Sequence, residues 1–234
     1  SGLKQGWKIP IGDGYAGVSI AAGKVFTIEQ RKDDEAATAY DLATGKTLWA
    51  STWRSNYKSF LGGNGPRSTP TYDDGLVYVQ GAQGEFRCLD AATGRVVWAK
   101  NVLAENGAKE VGYGQAMSPL VFEDKVIVLV GGPGGKSVIA YNKKNGAKIW
   151  SALDDAQAYM SPMLATLSGT QQLLAVTAKR IIGLDPKTGA LLWSHAWETS
   201  YDVNSTQPVI SGPNRFVIAA GYGHGAAGFE VTKN

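Results

Sequence analysis

The chain has little of what most metal centres and secreted frameworks are built from. Its 234 residues include one cysteine, Cys88, and two histidines, His195 and His224. A single thiol excludes an internal disulfide framework and a multi-cysteine metal site, and two imidazoles exclude a His-rich zinc centre. Charged residues are only 18% and their formal balance is +3. No basic run forms a phosphate-tracking stripe, which argues against a nucleic-acid partner, and the balance also argues against an acidic disordered chain. No apolar run reaches the roughly 18 residues of a membrane-crossing helix. The opening residues Ser1–Gly6 lack the apolar core of a signal peptide. The expectation is therefore a cytoplasmic chain, one whose signal has been removed, or a trimmed one.

Glycine, by contrast, is abundant. It occurs 30 times, nearly twice the usual share of about 7%, beside 44% hydrophobic and 10% aromatic residues. That mixture suggests buried strands separated by many turns.

A ten-residue frame recurs four times: Tyr40–Trp49, Leu89–Trp98, Tyr141–Trp150 and Leu184–Trp193. Each copy ends an apolar strand in Asp or Asn, whose side chain can cap backbone amides two residues on. A glycine follows, able to take the positive φ of a bulged hairpin, and then a strand ending in Trp. Two further strands precede each hairpin. They are expected at Ala16–Ile20 and Lys24–Glu29, Ser68–Tyr72 and Leu76–Gln80, Ser118–Phe122 and Lys125–Val130, and Ser161–Leu167 and Gln172–Thr177. No segment shows sustained helical periodicity. Four-strand units repeating every 40–50 residues are the signature of propeller blades.

The tail supplies Gln207–Ile210, Arg215–Ala220 and Gly228–Thr232 as three strands of a fifth unit, and Leu3–Ile9 reads as its missing fourth. Trp7, Trp49, Trp98, Trp150 and Trp193 are spaced by 42, 49, 52 and 43 residues, and the interval from Trp193 round to Trp7 is 48. The expectation is an all-β, five-bladed propeller of four-stranded antiparallel blades, forming one domain over residues 1–234. Its blades span about 10–53, 64–103, 113–153, 157–197, and 204–234 plus 1–9. The N-terminal strand closes the ring by pairing in the last blade, which hides a sheet edge. The repeat tryptophans should be largely buried between blades.

The Asp-x-x-Thr-Gly-x-x-x-Trp frame resembles the tryptophan-docking repeat of the pyrroloquinoline-quinone-type β-propellers, which include quinoprotein dehydrogenases and an outer-membrane assembly lipoprotein. The resemblance covers essentially the whole chain. Gly65–Tyr72 and Gly221–Gly225 resemble bacterial quinoprotein-like propeller proteins in particular. Such rings usually have seven or eight blades, so five imply a truncated, evolved or designed ring, or a fragment of a larger one. The resemblance also implies a periplasmic or secreted bacterial location.

In that family the loops entering each blade's inner strand form the functional face. Here they are Gly12–Gly17, Asn64–Thr69, Gly112–Ser118, Asp154–Ser161 and Tyr201–Gln207, carrying Asp13, Tyr15, Arg67, Tyr113, Gln115, Asp155, Tyr159, Tyr201, Asp202 and Asn204. Tyr15, Arg67, Gln115, Tyr159 and Asn204 hold nearly equivalent places ahead of Val18, Pro70, Pro119, Pro162 and Pro208, with Asp202 beside them. They are the candidate ligand-binding set of a central funnel. Arg67 is its fixed cation and suits a carboxylate or phosphate, unless it pairs with Asp13 or Asp202 as a plug.

Quinoprotein dehydrogenases usually show an adjacent cysteine pair over the quinone and a Glu/Asn/Asp calcium set. This sequence lacks the pair, so no cofactor is expected and pyrroloquinoline quinone is set aside. A calcium ion on Asp13, Asp155 or Asp202 stays open, against the simpler reading of Asp154–Asp155 as a solvated pair. Gly131–Ser137 imitates a phosphate loop, but the required first glycine is Val130 and the segment joins two strands. His224 reads as a turn residue and His195 as a surface residue.

The leading functional reading is a non-catalytic scaffold, expected to be a monomer, binding a small molecule or protein at the funnel. The alternatives are a cation-dependent hydrolase using the funnel and a carbohydrate-binding ring with Trp53 and Trp197 as platforms. The second and third blades carry Val102 and Asp154 at the matching places, which disfavours the sugar ring. No catalytic residue is assigned.

Overall fold

The computed structural model describes residues 2–232. Ser1, Lys233 and Asn234, assigned above to the fifth blade, lie outside the described residues. The fold class is the all-β five-bladed propeller, with five antiparallel up-and-down sheets. The first sheet comprises β1 (Ser19–Ala21), β2 (Lys24–Arg31), β3 (Asp34–Asp41) and β4 (Thr47–Arg54). The second comprises β5 (Thr71–Asp73), β6 (Leu76–Gln80), β7 (Glu85–Asp90) and β8 (Val96–Asn101). The third holds β9 (Leu120–Phe122), β10 (Lys125–Gly132), β11 (Lys136–Asn142) and β12 (Lys148–Ala152). The fourth holds β13 (Met163–Leu167), β14 (Thr170–Val176), β15 (Arg180–Leu184) and β16 (Leu191–Ala196). The fifth has three strands, β17 (Val209–Ile210), β18 (Arg215–Ala220) and β19 (Gly225–Glu230).

The chain divides into two compact units. The first is built from residues through Glu105 with Glu110–Pro119 and Lys143–Gly146; the second from Asn106–Lys109, Leu120–Asn142 and the residues from Ala147 onward. A core in the first unit gathers Phe26, Ile28, Trp53, Val77, Val79 and Leu89. One in the second gathers Leu167, Leu174, Val176, Ile181, Phe216 and Ile218.

The repeat frame folds as its residues dictate. Asp41 Oδ1 accepts from the amides of Ala43 and Thr44 at 3.1 and 2.8 Å and from Thr44 Oγ1 at 2.7 Å. Asp90 repeats the cap with Ala92 and Thr93. The turn glycines Gly45, Gly94, Gly146 and Gly189 all have φ between 70 and 76°. They also lie under an indole. A Cβ at Gly45 would come within 2.7 Å of Trp7, at Gly94 within 2.6 Å of Trp49, at Gly146 within 2.9 Å of Trp98, and at Gly189 within 2.6 Å of Trp150. The tryptophan-docking repeat is therefore a socket closed to any residue but glycine.

Several expectations change. Among the described residues Leu3–Ile9 lies in no strand, and the fifth sheet consists of β17, β18 and β19. Trp7 takes its contacts from the Gly45 turn instead, and these need no ladder with β19. β19 itself starts three residues earlier than expected, because the turn after β18 is tight, with positive φ at Tyr222 and Gly223. Three first strands begin after, not before, Pro70, Pro119 and Pro162, since proline has no amide for the ladder and restrains the preceding residue. Of the repeat tryptophans, Trp98 is buried, whereas Trp7, Trp49, Trp150 and Trp193 are half-buried. A short helix, α1 (Val102–Asn106), follows β8. Asn101 Oδ1 accepts from the Ala104 amide at 2.9 Å and caps it. Gly131–Ser137 is the β10–β11 hairpin, as expected.

Candidate functional site

Within the first unit, the loop entering the second sheet is organised by Arg67. Its Nη1 donates to Gly65 O at 2.7 Å, and its Nη2 donates to Gly62 O at 2.5 Å and Gly63 O at 2.9 Å. Its guanidinium lies 5.1 Å from the Tyr15 ring centre and 5.2 Å from that of Tyr57. Five donors in a planar fork suit several carbonyls at once, and the ring faces add cation–π attraction. Arg67 thus pairs with carbonyls and rings, not with Asp13 or Asp202. Tyr57 Oη donates to Gly112 O at 2.8 Å, and the Tyr15 amide donates to Pro66 O at 2.8 Å. The clamp tightens residues 57–67 and leaves their tip outside: Phe60 is 102% exposed and Leu61 80%. A cavity of about 420 Å3 lies nearby, lined by Gly12, Asp13, Gly14, Tyr15 and Asn64. Asp13 is backbone-paired with Gln30. Gln115 is buried, with its amide donating to Ala82 O and its Oε1 accepting from Gln80 Nε2 at 3.2 Å.

The remaining candidates belong to the second unit. Asn204 is buried; its Nδ2 donates to Thr177 O at 3.0 Å and Ala178 O at 3.3 Å, and its Oδ1 accepts from Thr199 Oγ1 at 3.0 Å. The Tyr159 amide donates to Asn204 O at 2.9 Å. Asp202 pairs with Lys179 at 3.0 Å, and this contact raises the lysine pKa, the hydrogen bond weighing most. Both Asp155 oxygens accept from Arg180, each at 2.7 Å. Asp155 is therefore a fork-paired carboxylate rather than half of a solvated pair. Asp154 accepts from the Gly135 amide at 2.8 Å.

Two buried glutamates escaped the sequence reading. Glu29 Oε1 accepts from Arg31, Thr38 Oγ1 and Tyr40 Oη, and Oε2 from the Gly12 amide. Burial pushes its pKa up, but these donors outweigh it and hold the carboxyl below the ordinary range. Glu35 accepts from Trp53 Nε1 and the Ala82 amide, both at 3.0 Å, and burial wins there: its pKa is raised. Both flank the polar run Gln30–Asp34, so the sequence gives nothing that separates them from the exposed residues of the hairpin turn.

Trp53 and Trp197 are each 6% exposed. Trp53 donates to Glu35, and Trp197 meets His224 edge-on at 4.3 Å. Neither offers the open face a sugar platform needs. His195 is a surface residue beside Phe229 at 4.8 Å. Among the described residues no helix is long and apolar enough to cross a membrane. Among the described residues no three His, Cys, Asp or Glu side chains gather into a metal-holding group.

A profile for the family described as outer membrane protein assembly factor BamB matches residues 5–233. The chain belongs to this family. The search of curated proteins finds no match. Among solved structures, a europium-containing methanol dehydrogenase is similar at TM-score 0.61 and 17% identity, over 81% of this chain and 43% of that one. A quinohemoprotein alcohol dehydrogenase from Comamonas testosteroni is similar at TM-score 0.56 and 16% identity, over 93% and 39% respectively. BamB from Moraxella catarrhalis aligns over 90% of this chain and 70% of that one, at TM-score 0.45 and 17% identity. At these identities the likeness concerns the fold. This BamB-family chain spans less than half the length of either dehydrogenase.

Proposed function

We propose that the chain is a non-catalytic BamB-type scaffold that binds polypeptide through the loop held by Arg67. The observation that carries this reading is the contrast between a clamped loop base and its tip. Phe60 and Leu61 stand almost wholly in water while Arg67, through three carbonyls and two aromatic rings, fixes the backbone beneath them. Exposed apolar residues on a pre-organised loop favour association, since little ordering entropy remains to be lost. Tyr15, 64% exposed, extends the same apolar surface beside the Asp13–Asn64 cavity. The family's description as an assembly factor supports a protein partner and a periplasmic location.

The residues present do not fit a quinone site. Cys88 is buried in β7, its thiol pushed up to about 12 by burial, and it has no adjacent cysteine. The engagement of Asp155 by Arg180 and of Asp202 by Lys179 weighs against a calcium-dependent hydrolase.

The test is fluorescence anisotropy with extended peptides alternating apolar and polar residues. The Phe60→Ser/Leu61→Ser variant should bind at least tenfold more weakly with an unchanged melting temperature. Equal affinity would remove this loop from the function. Hydrolysis of ester, phosphoester or glycoside substrates that Asp13→Asn or Asp202→Asn abolishes would replace the scaffold by an enzyme.

A further inference from the structure

The cavity lined by Gly12, Asp13, Gly14, Tyr15 and Asn64 is built wholly from residues of the first unit. Its frame is fixed by main-chain contacts. The Asp13 amide donates to Gln30 O at 3.0 Å, and the Gln30 amide donates back to Asp13 O at 2.7 Å. The Tyr15 amide donates to Pro66 O at 2.8 Å, and the Gly65 amide donates to Tyr57 O at 3.1 Å. The two loops meet at Gly65, which has a φ of 84° and where a Cβ would come within 2.6 Å of Asp13 O. Only glycine allows that approach, and it sets Asn64 on the same cavity as Asp13.

Three side chains line the cavity from that frame, and each has bonding capacity to spare. The Asp13 carboxylate and the Asn64 carboxamide have no hydrogen-bond or ion-pair partner among the described residues, and both residues are exposed. Tyr15 differs from a loose surface tyrosine because the Arg67 guanidinium covers its ring at 5.1 Å, itself backed by Tyr57 at 5.2 Å. With one face so covered, Tyr15 is still 64% exposed, so the opposite face lies in water. A rigidly mounted, one-sided aromatic platform thus stands beside two unengaged polar groups. Trp53 and Trp197, each 6% exposed, offer nothing comparable.

The surrounding charges decide what the cavity can take. An anion would face the Asp13 carboxylate, with the Glu29 carboxylate bonded to the Gly12 amide behind it. Arg67 cannot compensate, because both of its terminal nitrogens already donate to loop carbonyls. A hard divalent cation takes roughly six to eight oxygen ligands, and no three acidic, His or Cys side chains gather among the described residues. An organic cation would stack on a ring whose other face already carries a guanidinium. A neutral polyhydroxylated ring meets none of these conflicts. Its hydroxyls donate to the carboxylate and both donate to and accept from the carboxamide. Its C–H face lies against the negative face of the tyrosine. The volume of about 420 Å3 falls in the range of small-molecule sites.

We propose that this cavity is a carbohydrate subsite. Tyr15 is the platform for a pyranose ring, Asp13 accepts from one of its hydroxyls, and Asn64 both donates to and accepts from the adjacent one. The sugar chemistry excluded at Trp53 and Trp197 is thereby located elsewhere, on two loops of one unit and without fivefold repetition. The site stands whether or not Phe60 and Leu61 take a polypeptide, since it shares with that reading only the Arg67 clamp.

Saturation-transfer difference NMR tests it with the methyl glycosides of glucose, galactose, mannose and N-acetylglucosamine. At least one should receive saturation on its ring protons. Asp13→Ala should lower that transfer by about tenfold, as loss of a hydrogen bond to a charged group does. Tyr15→Leu, which removes the platform, should lower it by a similar factor. Asn64→Ala is a further variant whose exposed side chain takes no part in the Arg67 clamp, so its melting temperature should match wild type while transfer falls. No transfer to any of the four glycosides overturns the proposal. So does transfer that persists undiminished in Asp13→Ala and Asn64→Ala. Calorimetric binding of calcium that Asp13→Ala abolishes, with the glycosides silent, would replace the sugar by a cation.

Discussion

The first and fifth sheets use the same antiparallel strand plan with opposite results. β2 and β3 are each buried at six consecutive positions, on both pleat faces, and their buried set includes Thr27, Glu29, Gln30, Glu35 and Thr38. β18 instead alternates exposed and buried residues, and β19 contains no buried residue. Burial on both faces obliges polar side chains to find internal partners, as Glu29 and Glu35 do. One-sided burial leaves Val209 and Val217 in water and imposes no such requirement. A repeat that looks uniform in sequence is therefore uneven in energy, and the unevenness follows from how completely each sheet is covered.

The largest expected effect compares repeat tryptophans across this gradient. Trp98, 9% exposed and hydrogen-bonded to Lys143 O, should cost about 3–5 kcal/mol on truncation to alanine. Trp193, half-buried and bonded only within its own sheet to Gln172, should cost less than half as much. Equal losses in urea denaturation would show that the fifth sheet covers its neighbour as well as a complete one.

The next effect concerns Glu29. Replacement by glutamine removes an acceptor shared by Arg31, Thr38 and Tyr40 and should cost roughly 2–4 kcal/mol at neutral pH. Because its folded pKa is depressed, that stabilisation is fully present above the ordinary value of 4.5 and fades as pH falls through the lower folded value. Denaturation of wild type and Glu29→Gln should therefore converge in acid. A difference independent of pH would mean that Glu29 acts by shape alone.

The smallest effect has the opposite sign. Glu35 has a raised pKa, so the folded state holds its proton more tightly than the unfolded state. Stability from this group is present below 4.5 and is lost as pH rises through the folded value. The Glu35→Gln variant, which does not titrate there, should gain on wild type between acid and neutral pH. A gain in the reverse direction would show that the Trp53 and Ala82 hydrogen bonds outweigh desolvation.

The sequence made the hairpins legible because their causes are local. Asp41 caps amides two and three residues away, and Gly45 must take a φ closed to most side chains. The candidate site was only partly legible. Arg67 was visible as a cation in a turn, but its partners are carbonyls at Gly62, Gly63 and Gly65, and backbone acceptors have no signature in a sequence. Phe60 and Leu61 passed unnoticed because an apolar pair in a string of glycines does not announce which way it faces. Trp53 and Trp197 misled for the same reason.

The sequence by itself determined the four repeat hairpins, their turns and the tryptophan that follows each, since these depend on residues within one hairpin and on spacing along the chain. Tertiary structure alone decided which carboxylates are buried and whether Arg67 meets an acid or a carbonyl. Those outcomes depend on desolvation and on partners up to dozens of residues away, such as Glu35 with Ala82, and burial is a property of the packed whole that no local pattern encodes.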